Sequence, residues 1–405
     1  MIYPGFLISC VLLALASPVP EAPKPVDLMV HAEYLHVAPG EVVRNALIQI
    51  QDGKIASVLP GRSAPDGALS VHSIMAGMID ASARVTPGDV AVEQSKEVIT
   101  NLSVTDSLDF FNPAWDRLAR SGVTTTLIAP PDYNVVGGFS VVVKTSGPKR
   151  VEARVVNGAS ILRGAIGELP SAGNSPAFGR PTNFYARRPT TRMGVEWEWR
   201  KAFFDAAQSA RFPDAEFEGA DVLRACLAGD VRIFIQAWTT ADIRTAVYLD
   251  EEMQAEGYGD LDIVIDAGAE AWKEPAFLVR TGTPVVLPPF PATGRLGERA
   301  FMPWDTGRKL TDLGIMIALS AHGETGLKER LSAQAGYAIR GGLTFDEALA
   351  CVTTTPARLL GVEKQVGTVK SGMDADLVLW NGAPFSATSN IVGVVASGEV
   401  VLTPR

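Results

Sequence analysis

The sequence predicts an α/β fold, a (βα)8 TIM-like barrel accompanied by a small β-sandwich domain that both ends of the chain build together. Three observations predict it. The middle of the 405-residue chain alternates apolar, β-rich runs with helical patterns, whereas both ends show short strands separated by Gly and Asn turns. Apolar residues make up 47% of the chain, enough for a large core. One barrel with a small satellite domain accounts for the length.

Both chain ends show the pattern of short strands and tight turns that is typical of antiparallel β-structure. Short strands alternate over residues 26–73, where Gly53 supplies a tight hairpin turn. Further short strands follow over residues 367–402. Isolated short hairpins cannot bury enough apolar surface alone. Residues 26–75 and 365–405 are therefore predicted to form one composite β-sandwich domain.

Residues 76–364 are predicted to form the barrel. Parallel strands that are buried on both faces are apolar throughout, and five runs have this character: Thr124–Ala129, Val231–Ala237, Leu261–Ala267, Thr283–Leu287 and Ile315–Ser320. Helical periodicity predicts helices in intervening segments: Arg192–Ala210, Thr240–Glu256 and Leu327–Arg340. The segment from Gly164 to Pro189 is too irregular for barrel strands and is predicted to be a lid or rim loop.

The first residues predict export. Residues 6–16 are apolar and end in Ala14-Leu15-Ala16, the small-x-small pattern that signal peptidases cleave. Residues 1–16 are therefore predicted to be a signal peptide, and residues 17–25 a Pro-rich linker. The apolar run is too short to span a membrane, so no membrane-spanning segment is expected after cleavage. A periplasmic or extracellular location follows, with lipidation of Cys10 or a retained anchor as the alternatives.

The charge and the cysteine content limit which partners and which stabilising bonds the sequence predicts. Acidic residues outnumber basic ones by 45 to 36, which gives a formal net charge of −9. Since no run of Lys or Arg is long enough to follow a phosphate backbone, nucleic acid is not expected as a partner. Cys226 and Cys351 fall in predicted helices and are expected to be buried thiols, not a disulfide framework.

Several motifs resemble the amidohydrolase superfamily over about residues 26–402. Residues 367–382, GTVKSGMDADLVLWNG, closely resemble the closing motif of that family, and residues 76–81, AGMIDA, resemble the end of its first barrel strand. The nearest likeness is to imidazolonepropionase-like and dihydroorotase-like members. The resemblance implies a barrel hydrolase that cleaves C–N bonds other than peptide bonds, in cyclic amides, with a water activated by zinc.

The resemblance also implies metal ligands that this chain lacks. Where the family has His-x-His after the first strand, this chain has Ser82 and Arg84, and a guanidinium repels a divalent cation. A later histidine motif is replaced by Gln236-Ala237-Trp238, and the next histidine position falls at Ala267. No Asp occurs between Leu313 and Phe345, so the general-base Asp of the last strand is missing as well.

The distribution of histidines leads to the same expectation. Of the four histidines, His31, His36 and His72 fall in the N-terminal β-rich segment, which leaves His322 alone in the barrel. No cofactor and no metal are therefore predicted. A Mg or Ca site with oxygen ligands is the alternative.

The preferred interpretation is a pseudoenzyme, a catalytically inactive member of the family. In it Arg84 pairs with a buried carboxylate, for which Asp80, Asp266 and Glu270 are the candidates. Trp238 then fills the pocket or lines it as a stacking surface. The expected partners are a small-molecule ligand or an active relative, and the chain itself is a candidate homo-oligomer.

The alternative is an active C–N hydrolase with a rewired or metal-free site. It would use His322, Glu324, Lys144 and Asp266, with His322 and Glu324 as an acid/base pair. Lys144, at the end of a Gly-Gly hairpin, is expected to be solvated or ion-paired, with a carboxylated, metal-bridging lysine as the lesser alternative. Fold resemblance alone does not decide between an active and an inactive protein.

Overall fold

The structure is a computed structural model that describes residues 27–85, 92–93, 95–156, 160–171, 189–291 and 300–404. The predicted signal peptide, the linker and Cys10 lie outside these residues. In the described ranges the strands are β1 (Leu28–Ala38), β2 (Glu41–Gln51), β3 (Lys54–Pro60), β4 (Leu69–Ala76), β5 (Met78–Ala83), β6 (Val98–Ser103), β7 (Val123–Ile128), β8 (Val136–Lys144), β9 (Ile161–Ala165), β10 (Arg232–Gln236), β11 (Ile263–Asp266), β12 (Val285–Leu287), β13 (Ile317–Leu319), β14 (Leu377–Trp380), β15 (Ile391–Ala396) and β16 (Glu399–Leu402).

The helices of the same ranges surround the barrel strands. They are α1 (Ala114–Arg120), α2 (Val151–Arg154), α3 (Arg192–Ser209), α4 (Ala220–Leu227), α5 (Thr240–Ala255), α6 (Ala276–Thr281), α7 (Thr306–Asp312), α8 (Leu331–Arg340), α9 (Phe345–Val352) and α10 (Thr354–Leu359), with short 3-10 turns at Val104–Ser107, Leu169–Ser171 and Pro213–Ala215. None of the helices in the described ranges has both the length and the apolar character needed to cross a membrane.

Eight of the described strands form a nearly closed α/β barrel in the order β5-β7-β8-β9-β10-β11-β12-β13. The two ends of this path meet where the Arg84 N–H donates to the His322 carbonyl oxygen at 3.1 Å. Strand β8 runs antiparallel to both of its neighbours in the path, β7 and β9. The all-parallel (βα)8 prediction is therefore wrong at β8, because a short connection returns the chain across the barrel directly after β7.

Side chains inside the barrel form two layers. Residues two apart on a strand point to the same face, so β9, β10 and β11 each contribute one residue to each layer. The lower layer is apolar and includes Ile161, Phe234, Val264, Val286 and Ala318. The upper layer, called the polar layer below, consists of Asp80, Ser82, Arg163, Gln236, Asp266 and Ser320, all of them buried. It lies at the C-terminal ends of the parallel strands, where the sites of such barrels form.

The predicted strands and helices mostly agree with the structure, with two corrections. The predicted rim loop begins too early, because Gly164 lies inside β9. A side chain there would clash, since a Cβ on Gly164 would lie 2.3 Å from Cζ2 of Trp199 and 2.8 Å from the Val135 carbonyl oxygen. Residues 172–188 of the predicted loop lie outside the described residues. The predicted helix Leu327–Arg340 begins only at Leu331.

The strands of the two chain ends form one seven-stranded mixed sheet in the order β16-β15-β14-β4-β1-β2-β3. Strand β4 holds the two ends together, because it pairs parallel with β1 and antiparallel with β14. Val30, Ile48, Ile74, Leu377 and Val395 belong to the core beneath this sheet. Hydrogen bonding joins all seven strands in a single sheet, so the second layer of the predicted sandwich stays a prediction.

Both described cysteines are free and buried, as expected. Cys226 on α4 and Cys351 on α9 pack in the main core around the barrel. Burial raises the pKa of each thiol to about 12. Neither residue therefore has the character of a reactive thiolate.

Candidate functional site at the barrel mouth

Asp80 links β5, the first barrel strand, to the turn that follows β13, the last one. Its Oδ1 accepts hydrogen bonds from the Ser320 hydroxyl at 2.7 Å and from the Ser82 N–H at 3.1 Å. Its Oδ2 accepts from the N–H groups of Ala321 at 3.1 Å and Gly323 at 3.2 Å. Complete burial raises the pKa of the Asp80 carboxyl, and the four hydrogen bonds act in the opposite direction.

Arg163 is the centre of a buried network of ion pairs. Its Nε donates to Asp132 Oδ1 at 2.8 Å, and its Nη2 lies 2.6 Å from the same oxygen. Its Nη1 lies 2.7 Å from Asp266 Oδ2, which also accepts the Ser82 hydroxyl at 2.7 Å. Arg84 completes the network with a contact of 3.1 Å between its Nη2 and Asp132 Oδ2.

The four ionised groups of this network have balanced charge. Two guanidinium groups, Arg84 and Arg163, face two carboxylates, Asp132 and Asp266. Burial alone would lower the pKa of the Arg163 guanidinium, but the two carboxylates raise it above its ordinary value. Arg163 is therefore a permanent cation at the middle of the barrel mouth.

The partner of Arg84 differs from the three that the sequence suggested. Asp80 is bound to Ser320 and backbone N–H groups, and Asp266 is bound to Ser82 and Arg163. Glu270 lies outside the polar layer, where it contacts Lys273 at 2.6 Å and accepts the Thr240 N–H at 3.1 Å. Burial acts to raise the pKa of Glu270, but the hydrogen bonds, chiefly the one from Lys273, lower it overall.

Gln236 is the last residue of β10, and Trp238 follows two residues later, past the end of the strand. Gln236 is fully buried, and within the described part of the chain neither its Oε1 nor its Nε2 has a hydrogen-bond partner. Trp238 is 4% exposed, and its indole Nε1 also has no partner there. The indole meets the His322 ring edge-on, with 6.2 Å between ring centroids. Ala267, the next predicted ligand position, is buried with a φ of 59°.

His322 and Glu324, the predicted acid/base pair, lie in different environments. His322 is buried with a φ of 52°, and its N–H donates to the Ser320 hydroxyl at 2.9 Å. Glu324 is exposed, and its backbone N–H closes a turn on the Ala321 carbonyl oxygen. The turn after β13 therefore leaves one residue of the predicted pair buried and the other exposed.

Lys144 lies at the opposite end of the barrel from Asp266. Strand β8 is antiparallel to β7, so Lys144 pairs with Thr125 near the start of β7. The Lys144 ammonium contacts Asp374 at 2.9 Å and Asp376 at 2.7 Å. Burial acts to lower the pKa of Lys144, but the two carboxylates raise it. The contacts agree with the ion-paired lysine that the sequence analysis preferred, and they separate Lys144 from the barrel mouth.

Sequence reasoning missed Asp132, Arg163 and the role of Ser320. A signal for Arg163 was present, since an Arg inside the otherwise apolar run ILRGA needs a carboxylate once the run is buried. Asp132 follows two prolines in the loop between β7 and β8, and nothing in its neighbourhood along the chain points to a partner.

The comparisons with known proteins agree with this architecture. A sequence model described as the amidohydrolase family matches residues 304–402, which contain the last barrel strand and the closing motif. The amidohydrolase tasK of Hapsidospora irregularis is 24% identical over 391 residues, which cover 85% of this chain and 38% of that protein. This chain thus spans well under half the length of that relative.

Two further proteins extend the likeness. The imidazolonepropionase of Shewanella piezotolerans is 43% identical over 63 residues, 16% of this chain and 15% of that enzyme. The crystal structure of an amidohydrolase from Thermotoga maritima matches 93% of this chain and 100% of its own, with 25% identity and a TM-score of 0.79. The barrel, the composite sheet and these matches agree, and together they support the amidohydrolase superfamily for this chain.

Proposed function

We propose that this chain is a non-hydrolytic member of the amidohydrolase superfamily whose barrel mouth holds a network of ion pairs where the family resemblance implies a metal centre. The observation that carries the proposal is the buried Arg163 guanidinium, which contacts Asp132 and Asp266 at 2.6 to 2.8 Å. The Arg163 cation therefore pairs with the two carboxylates that a metal ion would need as ligands.

The residues at the mouth do not fit zinc. A catalytic zinc site needs three ligands drawn from His, Cys, Asp and Glu. In the described residues no group of three or more such side chains has a suitable arrangement. Asp132 and Asp266 are engaged by Arg84 and Arg163, and a divalent ion between them would lie close to two positive charges. Loss of the ion pairs would have to precede any binding of metal.

The two carboxylates of the polar layer, Asp80 and Asp266, already accept hydrogen bonds or ion pairs from the protein. A general base must lie within hydrogen-bond reach of the attacking water. The run from Ala318 to His322, in which the resemblance implies an Asp, contains none, and its Ser320 hydroxyl donates to Asp80 at 2.7 Å. The Asp80 carboxylate has both oxygens occupied by donors from the protein. These contacts support a binding role for the mouth over a hydrolytic one.

The first test is the metal content and turnover of the purified protein. We expect less than about 0.1 equivalent of zinc per chain by elemental analysis, unchanged after incubation with excess zinc and desalting. Cyclic amides such as hydantoin and dihydrouracil should not be hydrolysed above the buffer rate, with or without zinc.

Stoichiometric zinc, or turnover of a cyclic amide that disappears in His322→Ala, would contradict the proposal. The second result would favour the metal-free hydrolase around His322. Trp197→Phe, a change on the exposed face of α3, is the control for non-specific loss.

A further inference from the structure

A cavity of about 530 Å³ lies beside β6, a strand outside the eight-strand path of the barrel. Lys96, Val98 and Thr100 line one wall, and because they are two residues apart they share one face of the extended chain. Helix α3 forms the opposite wall with residues that include Lys201 and Asp205. The volume lies in the range of small-molecule sites. In the described part of the chain, the lining shares no residue with the polar layer.

The third wall of the cavity is the segment 215–218, which hydrogen bonds hold against β6. The Thr100 hydroxyl donates to the Gly219 carbonyl oxygen at 3.1 Å, and Asn101 Nδ2 donates to Glu218 Oε1 at 2.7 Å. Gly219 has a φ of 86°, and a Cβ there would lie 1.8 Å from Thr100 Oγ1. The segment is therefore fixed close to the strand, and the cavity is a preformed site.

The lining between the charged groups is apolar. Val98 and Ala202 line the cavity and also pack into the main core. Phe217 lines it as well, but its side chain remains 36% exposed. A partly exposed aromatic ring inside a cavity is stabilised when an apolar group covers it. The occupant of this cavity is therefore expected to have an apolar body.

Two ion pairs lie among the lining residues. Lys96 Nζ lies 3.0 Å from Glu218 Oε2, and Lys201 pairs with Asp205 on α3. The side chains of both pairs are about half exposed or more. An ammonium can donate three hydrogen bonds and a carboxylate can accept about four, so each group has capacity for a ligand. A third carboxylate, Glu198, lies one turn before Lys201.

This mixture of charges selects against ligands with a single charge. A ligand with only a carboxylate would be brought close to three carboxylates of the lining, whereas a ligand with only an ammonium would be brought close to two lysines. A ligand that carries one group of each sign meets an opposite charge with both of them. The lining is therefore complementary to a zwitterion.

We infer that this cavity binds a small zwitterion with an apolar body, the chemistry of a free amino acid with an apolar side chain. The ligand ammonium donates to Glu218, which Asn101 and Lys96 hold in position. The ligand carboxylate accepts from Lys201, and the apolar body covers Phe217. The inference goes beyond the proposed function, because it assigns a second site outside the barrel.

The test uses L-phenylalanine as the probe and isothermal titration calorimetry as the measurement. We expect saturable binding with one site per chain. Hydrocinnamate lacks the ammonium, phenethylamine lacks the carboxylate and glycine lacks the apolar body. Each of the three should bind at least about tenfold more weakly than L-phenylalanine.

Variants of the lining locate the bound probe. Lys201→Met and Phe217→Ala should each weaken binding by about tenfold or more, and Lys201→Arg should retain most of it. The matched control is Lys309→Met, because Lys309 has an ion pair of the same i,i+4 spacing and similar exposure on α7. Phe111→Ala, a change at another exposed phenylalanine, is the control for the ring. Both controls should bind as the wild type does.

Three results would overturn the inference: no binding of L-phenylalanine at about 10 mM, equal binding of hydrocinnamate or phenethylamine, or binding that Lys201→Met and Phe217→Ala leave unchanged. None of these results bears on the non-hydrolytic function, which depends on zinc content and turnover of cyclic amides. Conversely, turnover at the barrel mouth would contradict the proposed function and leave this site standing.

Discussion

Replacing Arg163 by Met is expected to destabilise the protein by about 3–5 kcal/mol, because removal of one partner from a buried ion pair leaves an uncompensated charge. Asp132 would keep Arg84 as a partner, but Asp266 would keep only the Ser82 hydroxyl and the Ala267 N–H. Chemical denaturation with urea, followed by circular dichroism, measures the effect.

Two variants make this test specific. Arg280→Met removes an exposed ion pair with Glu251 and should leave the free energy of unfolding nearly unchanged, because solvent screens such a pair. Adding Asp266→Asn to Arg163→Met removes the stranded charge and should recover part of the loss. A cost of less than about 1 kcal/mol for Arg163→Met, or a further loss in the double variant, would contradict the description of this network as a balanced set of charges.

Lys144→Met is expected to have an effect of the same size, about 3–5 kcal/mol, at the other end of the barrel. The Lys144 ammonium lies between Asp374 and Asp376 and links barrel strand β8 to the closing motif. The matched control is Lys54→Met, because Lys54 contacts the same Asp374 at 2.9 Å but its side chain is 56% exposed. The control should cost about 0–1 kcal/mol.

The cost of Lys144→Met should also depend on pH in a defined way. Although burial acts to raise it, Lys144 lowers the pKa of Asp374 below its ordinary value of 3.8. The stabilisation from this pair is therefore complete above pH 3.8 and is lost as the pH falls through the lowered pKa. The pKa of Lys144 is raised above 10.5, so the pair is also complete below pH 10.5 and is lost only at higher pH.

The free energy of unfolding, compared between wild type and Lys144→Met, tests this dependence. The difference should be constant from about pH 5 to pH 9 and should become smaller as the pH falls through the lowered pKa of Asp374. A difference that grows towards acid pH would mean that another group carries the interaction.

The sequence was sufficient to predict the strands whose apolar character is continuous. The predicted run Thr124–Ala129 corresponds to β7 within one residue at each end, and Val231–Ala237 contains β10. Strand β8 and its direction were not predicted. Its Gly-Gly beginning is typical of a hairpin, and the neighbouring sequence does not determine which sheet the strands of a hairpin join. Only the register of β8 between β7 and β9 places it in the barrel wall.

The sequence predicted where the residues of the site lie better than it predicted which partners they contact. Ser82, Gln236 and Asp266 lie together in the polar layer, as their places at strand ends indicated. The partner of Arg84 was not predictable, because Asp132 is 48 residues away and reaches it through a loop. Lys144 and Asp266 do not share a site, because the antiparallel course of β8 puts the two residues at opposite ends of the barrel.

The pairing of β4 with both chain ends has a consequence for how the protein folds during synthesis. Leu377 of β14 pairs with Ala76 of β4, so roughly 300 residues separate the two partners. At about 5–20 residues per second, the edge of β4 that will receive β14 stays unpaired for roughly 15–60 s after it leaves the ribosome. Such a long-lived open edge is a template for incorrect association, so the yield of native protein should depend on what shields β4 until translation ends.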